Sequence, residues 1–167
     1  MPDVIRKDGI HNDDLWTLVS APVEGESLQL PDGPALLPVT VWNENQDAFA
    51  GRNDIGVWFD SHDEPETVAG DLNQLPLIAV NFPKFTDGRG YSIARLLRER
   101  HGYTGELRAV GDVLLDQLFY MKRCGFDSYV LRADKDINKA DGCLNVFSNA
   151  YQAAVDVKEP LFRRRTA

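Results

Sequence analysis

The stretch 77-LIAVNFPKFTDGRGYSIARLLRERHGYTGELRAVGDVLLDQLFYMKRC-124 decides the fold, because strand-like and helix-like patterns alternate in it. Residues 77–82 are almost wholly apolar, which is typical of a strand that is buried on both faces. Residues 91–101 repeat apolar side chains at helical spacing, and the same order returns with a strand at 106–110 and a helix at 113–124. Two consecutive units of this kind predict a parallel sheet.

The same alternation extends from this stretch in both directions. Three further strands are predicted, at residues 35–39, 55–60 and 128–131. Thr40 and Asp134 are the predicted N-caps of the helices after the first and last of these strands, and Pro65 lies in the first turn of the remaining helix. Residues 35–150 are therefore predicted to form five strand–helix units.

The two ends of the chain lack this alternation. Residues 1–34 predict short strands around an Asp8-Gly9 turn, followed by a loop rich in proline and glycine, which together form a β appendage. Residues 151–167 are predicted to be an extended or frayed tail. We interpret residues 1–167 as a single α/β domain, because this length is typical of one domain.

Right-handed crossovers leave two architectures for the five units. The first is an open, mostly parallel five-stranded sheet with helices on both faces. The second is an incomplete (β/α) barrel. We expect the open sheet, because five strands are too few to close an eight-stranded barrel.

Composition narrows the class of protein. Of the 167 residues, 43% are hydrophobic and 26% are charged, which is typical of a globular protein. No apolar run approaches the roughly 18 residues of a membrane span, and the amino-terminal residues lack the pattern of a signal peptide. We therefore expect a cytoplasmic protein that makes no membrane contact. The two cysteines, Cys124 and Cys143, are too few for a zinc or iron–sulfur site, and both are interpreted as packing residues.

The net charge of −8 argues against a general nucleic-acid binder. The charge is unevenly distributed along the chain. Residues 1–76 hold three basic and fifteen acidic side chains, whereas residues 77–167 hold fifteen basic and eleven acidic ones. Any bound anion is therefore expected to contact the second half of the chain.

In both architectures a ligand site lies beyond the carboxyl ends of the parallel strands. The loop after residues 77–82 carries the residues that suit a small oxyanion there. These are two cations, a carboxylate, a turn glycine and a hydroxyl near the start of a helix, namely Lys84, Arg89, Asp87, Gly88 and Ser92. The alternative is a tight turn in which Arg89 forms an ion pair with a nearby carboxylate.

The next loop contributes Asp112, which lies four residues before Asp116. Two such carboxylates suit acid–base chemistry or a magnesium ion, although Asp112 also fits the N-cap of the following helix. Arg108 is a cation on a strand, and it must pair with a carboxylate or point into the site. We predict Arg108 and Asp112 as catalytic residues, and we predict no metal site. His62 is the candidate for proton transfer, or else an ordinary loop residue.

Four segments resemble one bacterial family in particular: FPKFTDGRGYS (82–92), LLRER (96–100), GELRAVGDVLLDQL (105–118) and RCGFD (123–127). The chain resembles the domain of unknown function 934 family over about residues 4–164, and Tyr151-Gln152 near the carboxyl end also agrees. Genes of this family typically lie beside genes of assimilatory sulfate and sulfite reduction, and its members are often labelled probable oxidoreductases. The resemblance implies a pathway but no reaction.

Three functions follow from the residues and the resemblance together. We expect an accessory protein of assimilatory sulfite reduction that binds a small oxyanion or an anionic cofactor of unknown identity at the rim. The first alternative is a non-catalytic docking or assembly partner of sulfite reductase or its electron donor, with the acidic first half facing a basic partner. The second alternative is a flavin-dependent oxidoreductase.

Overall fold

The fold was analysed in a computed structural model that describes residues 3–22, 28–49, 51–68 and 70–165. It is a mixed α/β fold. The strands are β1 (Val4–Arg6), β2 (Gly9–His11), β3 (Thr17–Leu18), β4 (Ala35–Pro38), β5 (Ile55–Phe59), β6 (Leu77–Phe82), β7 (Glu106–Gly111) and β8 (Ser128–Tyr129). The helices are α1 (Val39–Phe49), α2 (Arg89–Glu99), α3 (Leu118–Cys124), α4 (Ala140–Leu144) and α5 (Leu161–Arg164).

All eight strands belong to one sheet, in the order β2-β1-β8-β7-β6-β5-β4-β3. From β3 to β8 the strands are parallel and follow the order of the chain. Right-handed crossovers in such a sequential sheet place all the helices on the same face. The prediction of a five-stranded sheet with helices on both faces is therefore wrong, and the incomplete-barrel alternative fits, because the sheet is a curled half-barrel.

The length of one connection explains the curl. β2 and β3 lie at opposite edges of the sheet, yet only residues 12–16 join them. Six residue steps reach at most about 22 Å, whereas the edges of a flat eight-stranded sheet lie about 34 Å apart. The edges must therefore approach each other. Residues 12–16, here called the tie, cross the concave face, and the predicted N-terminal appendage is instead part of the sheet at both edges.

Alternation along the strands separates two apolar clusters. Val57, Ile78 and Leu107 point to the convex face and pack with residues of the helices. Leu36, Leu77, Ala79 and Val110 form a smaller cluster on the concave face, with Trp16 and Trp58 packed against it. Both faces of the central strands are thus covered, which explains why residues 77–82 are almost wholly apolar.

Three predicted helices are shorter than expected. After β5, the chain forms only two 3-10 turns, Pro65–Thr67 and Leu72–Gln74, within the described part of this segment. The helix predicted at 113–124 is a 3-10 turn, Leu115–Gln117, followed by α3. After β8, Asp136 and not Asp134 caps a 3-10 turn before α4, because Asp134 pairs with Arg132.

The carboxyl-terminal tail is held against the domain rather than frayed. Val155 N donates to Arg123 O, and the Arg123 guanidinium pairs with Asp156 at 2.6 Å. The tail then forms α5, and residues 166–167 lie outside the described residues, as do residues 23–27 of the predicted N-terminal loop. In the part of the chain that the structure describes, no helix is long and apolar enough to cross a bilayer.

Candidate functional site

The loops that follow β5, β6, β7 and β8 lie together at one edge of the half-barrel, because the carboxyl ends of parallel strands point the same way. Contacts between side chains and backbone connect these loops. The Asp87 carboxylate interacts with Ser61 of the preceding loop. Asp112, in the loop after β7, accepts from Phe85 N of the loop after β6 at 2.8 Å and from Arg132 Nη1 of the loop after β8 at 2.7 Å. We call this edge the rim.

Arg89 is fixed by a carboxylate of its own loop. Its Nε and Nη2 donate to the two oxygens of Asp87 at 3.0 and 2.6 Å, and its backbone N–H also donates to Asp87. The Arg89 guanidinium holds the pKa of Asp87 well below its usual range. The geometry therefore matches the alternative of a tight turn with an Arg89 ion pair, and Asp87 occupies the amino end of α2.

The other predicted ligand residues of this loop face solvent. Arg89 is 61% exposed despite its ion pair, and Lys84, Gly88 and Ser92 are exposed as well. Among the described residues, no carboxylate pairs with Lys84. The structure thus brings Lys84, Asp87, Gly88, Arg89 and Ser92 together, and whether they bind an anion remains a prediction.

Asp112 does not cap the following helix. Its carboxylate is used by Phe85 and Arg132, whereas the Gln117 side chain accepts from Leu114 N at 2.9 Å at the start of the next turn. The hydrogen bond from Arg132 lowers the pKa of Asp112. This carboxylate is therefore a weak base at neutral pH, and its geometry suits holding two rim loops together.

Arg108 lies apart from Asp112, the other residue that we predicted as catalytic. It stands four residues earlier on β7, about 13 Å away along the strand. Its side chain is 2% exposed and forms a two-point ion pair with Asp14 of the tie, at 2.8 and 2.9 Å. A third bond joins Arg108 to Glu106 at 2.7 Å. Arg108 thus fastens the tie to the concave face.

Alternation along the strands reveals concave residues that the loop-by-loop interpretation did not select. Asn81 of β6 shares the concave face with Ala79, and its Nδ2 donates to Asp60 Oδ1 at 3.1 Å. Arg132 reaches both Asp112 and Asp134. The signal for Asn81 was its place in an otherwise apolar strand, where a polar side chain needs a partner.

His62 and the two cysteines give no sign of a reactive group. The His62 ring is 71% exposed and lies 3.6 Å from Asp60 and 3.9 Å from Asp63. Cys124 is buried, and burial raises the pKa of its thiol. Cys143 is half-buried and packs against the convex core. Among the described residues, no three His, Cys, Asp or Glu side chains are grouped as metal ligands.

Residues 56–162 match the family described as "Bacterial protein of unknown function (DUF934)". The chain belongs to the DUF934 family. The DUF934 match includes most of β5 and all of β6, β7 and β8, with the four rim loops that follow them. It confirms the resemblance inferred from the sequence. No curated protein and no solved structure matches the chain.

Proposed function

We propose that this protein is a cytoplasmic accessory protein of assimilatory sulfate and sulfite reduction, and that it binds a small oxyanion at the rim. The sulfur pathway rests on the family resemblance. The observation that supports the anion site is Arg89, whose Nη1 is left without a partner in the described residues while Asp87 holds Nε and Nη2. The guanidinium is therefore held in a fixed orientation at the open end of α2.

In this proposal the oxyanion exchanges with the Asp87 carboxylate. Exposed ion pairs contribute little to stability, so that their replacement by a bound anion costs little. An anion at this position accepts from Arg89 and approaches the amino end of α2. Lys84 and Ser92 supply a second charge and a hydroxyl donor. Arg108, which we predicted as a catalytic residue, takes no part in this proposal and keeps its partners Asp14 and Glu106.

The test is the melting temperature with and without sulfate, phosphate or sulfite. A ligand that binds only the native state stabilises it by about 2.7 kcal/mol at a hundredfold excess over Kd. We expect Arg89→Ala to abolish the increase and Asp87→Asn to enlarge it. Arg95→Ala, which breaks an exposed ion pair further along α2, is the matched control and leaves the increase intact. An undiminished increase in Arg89→Ala overturns the anion site.

Growth of a deletion strain tests the proposed pathway independently of the anion site. We expect a deletion strain to grow on sulfide but not on sulfate or sulfite as sole sulfur source, because the block then lies at sulfite reduction. Growth on all three sources rejects the pathway. The flavin alternative is examined by the absorbance of the purified protein, since a bound flavin makes it yellow.

A docking role is favoured by a second observation. Residues 40–76 contain eight acidic side chains and one basic side chain. Asn43 of α1 donates to Thr67 O at 2.9 Å, so the acidic positions of α1 lie beside those of the following turns. Five carboxylates there are exposed, and Glu66 among them pairs with Arg100: Glu44, Asp47, Glu64, Glu66 and Asp71. Such a surface suits a basic partner, for which sulfite reductase and its electron donor are the candidates.

The docking role is tested by measuring binding to each candidate partner at rising ionic strength. We expect Glu44→Lys with Asp47→Lys to weaken binding and to flatten its salt dependence. Asp32→Lys with Glu159→Lys, which changes the net charge by the same amount at exposed positions outside this surface, serves as the control. Equal losses in both variants mean that net charge and not this surface is responsible.

A further inference from the structure

A cavity of about 900 Å³ lies on the convex side of the sheet, away from the rim. Its walls are the β1–β2 hairpin, the end of α3, α4 and the tail around Val155. The hairpin runs antiparallel to β8 and therefore has no crossover helix of its own to cover it. The volume falls within the range of small-molecule sites, roughly 300–1,000 Å³.

The walls of the cavity are held in place by buried arginines. Arg123 fixes the tail through Asp156, as described above, and Arg98 donates to Gly125 O at 3.0 Å. Gly125 has a φ of +105°, and a Cβ there would lie 2.7 Å from Arg98 Cγ and 2.9 Å from Val155 Cγ1. The absence of a side chain at Gly125 lets these walls meet, so the cavity is preformed.

The floor of the cavity is apolar. Ile5 from β1, Tyr129 from β8 and Leu144 from α4 contribute to it, and each of these side chains also belongs to the convex core. Phe126 adds an aromatic ring. The Tyr129 hydroxyl is satisfied by Phe126 O at 3.0 Å. A ligand that lies on this floor therefore needs an apolar body.

The lining holds two ammonium groups that no described carboxylate contacts directly. Asp127 pairs with Arg98, and Asp156 pairs with Arg123. In the described residues no carboxylate pairs with Lys7 or Lys122, and the Lys122 ammonium faces only neutral oxygens of Leu144 and Asn145, at 3.5 and 3.3 Å. Two lining carboxylates also lack a lysine or arginine partner among the residues described, but a neighbouring side chain engages each of them: Asp8 lies 2.8 Å from His11 Nε2, and Asp141 accepts from Asn145.

We propose that this cavity binds an organic anion with an apolar body. The body lies against Ile5, Phe126 and Leu144, and the anionic group faces Lys7 and Lys122. The ligand excludes water from the apolar floor, which supplies the affinity, while the two ammonium groups set the preference for an anion. This site is separate from the rim, and it stands whether or not the rim binds oxyanions.

The probe for the test is the fluorescent anion anilinonaphthalene sulfonate, compared with the neutral phenylnaphthylamine, which has the same aromatic body. We expect Lys122→Gln to weaken binding of the sulfonate about three- to fivefold, as for one partly exposed ion pair, and to leave the neutral probe unchanged. Lys139→Gln is the matched control, because Lys139 is exposed and lies outside the cavity lining. Ile137→Trp fills the cavity from a half-buried position and removes binding of both probes.

A measurement on the unaltered protein protects the test against variants that fail to fold. Amide chemical shifts are recorded while the sulfonate is added. Shifts at Gly125, Phe126 and Asn145 support the proposal, and shifts confined to other surfaces overturn it. Sulfonate affinity that is unaffected by both Lys122→Gln and Ile137→Trp also overturns it. Displacement of the probe by dodecanoate or by naphthoate distinguishes an aliphatic from an aromatic natural ligand. Arg89→Ala leaves sulfonate binding intact, which separates this site from the rim.

Discussion

Arg108 and Asp112 show how residues of one strand and the loop after it acquire different roles. Both are charged and four positions apart, yet Arg108 is 2% exposed and paired with Asp14, whereas Asp112 lies at the rim beside Arg132. A buried charge must be compensated where it stands, because an unpaired one is costly. The burial of Arg108 therefore commits it to the concave face, whereas Asp112 joins two rim loops through Phe85 and Arg132.

We expect Arg108→Ala to lower the free energy of unfolding by about 1–3 kcal/mol, because the buried Asp14 carboxylate loses two hydrogen bonds and keeps only Arg6 as a cationic partner, at 2.8 Å. Asp14→Ala should cost a similar amount, and the double variant should cost less than the sum, since the second substitution removes a group that has already lost its partner. Urea denaturation measures all three. Arg52→Ala, which breaks an exposed ion pair, is the control and should change little. A stable but inactive Arg108→Ala would restore the catalytic role predicted for Arg108.

The different roles of Asp112 and Gln117 are separable by substitution. We expect Gln117→Ala to destabilise the protein by about 1 kcal/mol, because the Leu114 N–H loses its acceptor at the start of the turn before α3. Asp112→Asn should leave the melting temperature nearly unchanged, since the amide keeps an oxygen for Phe85 N, and the partly exposed ion pair with Arg132 that is lost contributes little. Thermal melts of both variants decide. A larger loss in Asp112→Asn contradicts the assignment.

At the scale of elements, local pattern predicted strands better than helices. The apolar run at 77–82 coincides with β6, because a run this short suits a strand that is covered on both faces better than a buried helix. The segment after β5 instead forms 3-10 turns in its described part. There the Asp71 side chain accepts from Asn73 N, and the 3-10 turn that it caps ends at Gln74. Apolar spacing alone did not reveal that the predicted helix is interrupted.

Two glycines allow a test of how tightly the sheet is curled. A Cβ at Gly56 of β5 would lie 2.4 Å from Leu77 O and 2.8 Å from Leu36 Cδ2 on the concave face. We expect Gly56→Ala to destabilise the protein by about 1–3 kcal/mol through overpacking. Gly142 of α4 has open space around it, so Gly142→Ala should stabilise the protein by up to about 1 kcal/mol. Equal effects of the two substitutions on chemical denaturation would show that the concave face is loosely packed.

At the scale of the whole molecule, local sequence pattern could not predict the curl of the sheet. The hairpin around Asp8-Gly9 was recognisable, but its place in the sheet was not, because β1 pairs on its other side with β8 near the far end of the chain: Ile5 lies opposite Tyr129. The ligand edge followed from strand direction alone, so the rim loops were found together. The burial of Arg108 could not be predicted in this way, because its partner Asp14 is 94 positions away in the sequence.

The same long-range network predicts how stability depends on pH. Burial raises the pKa of Glu106, but the hydrogen bond from Ser128 and the charge of Arg108 outweigh burial, so that this pKa lies below its usual value. A lowered pKa in the folded state means that the carboxylate contributes stability above its unfolded pKa of about 4.3. This contribution is lost as the pH falls from there through the folded pKa.

We therefore expect Glu106→Gln to flatten the decline of unfolding free energy below about pH 4.5, because the variant has no proton to take up at this position. Glu99→Gln is the matched control: the pKa of Glu99 is lowered by Arg95 on the exposed face of α2, and salt should screen that effect. Denaturation curves from pH 3 to pH 7 at low and high salt separate the two carboxylates. At high salt the Glu106 effect should persist, since Arg108 and Ser128 hold that carboxylate within the curled sheet. An unchanged acid slope in Glu106→Gln would mean that the tie is held by Asp14 alone.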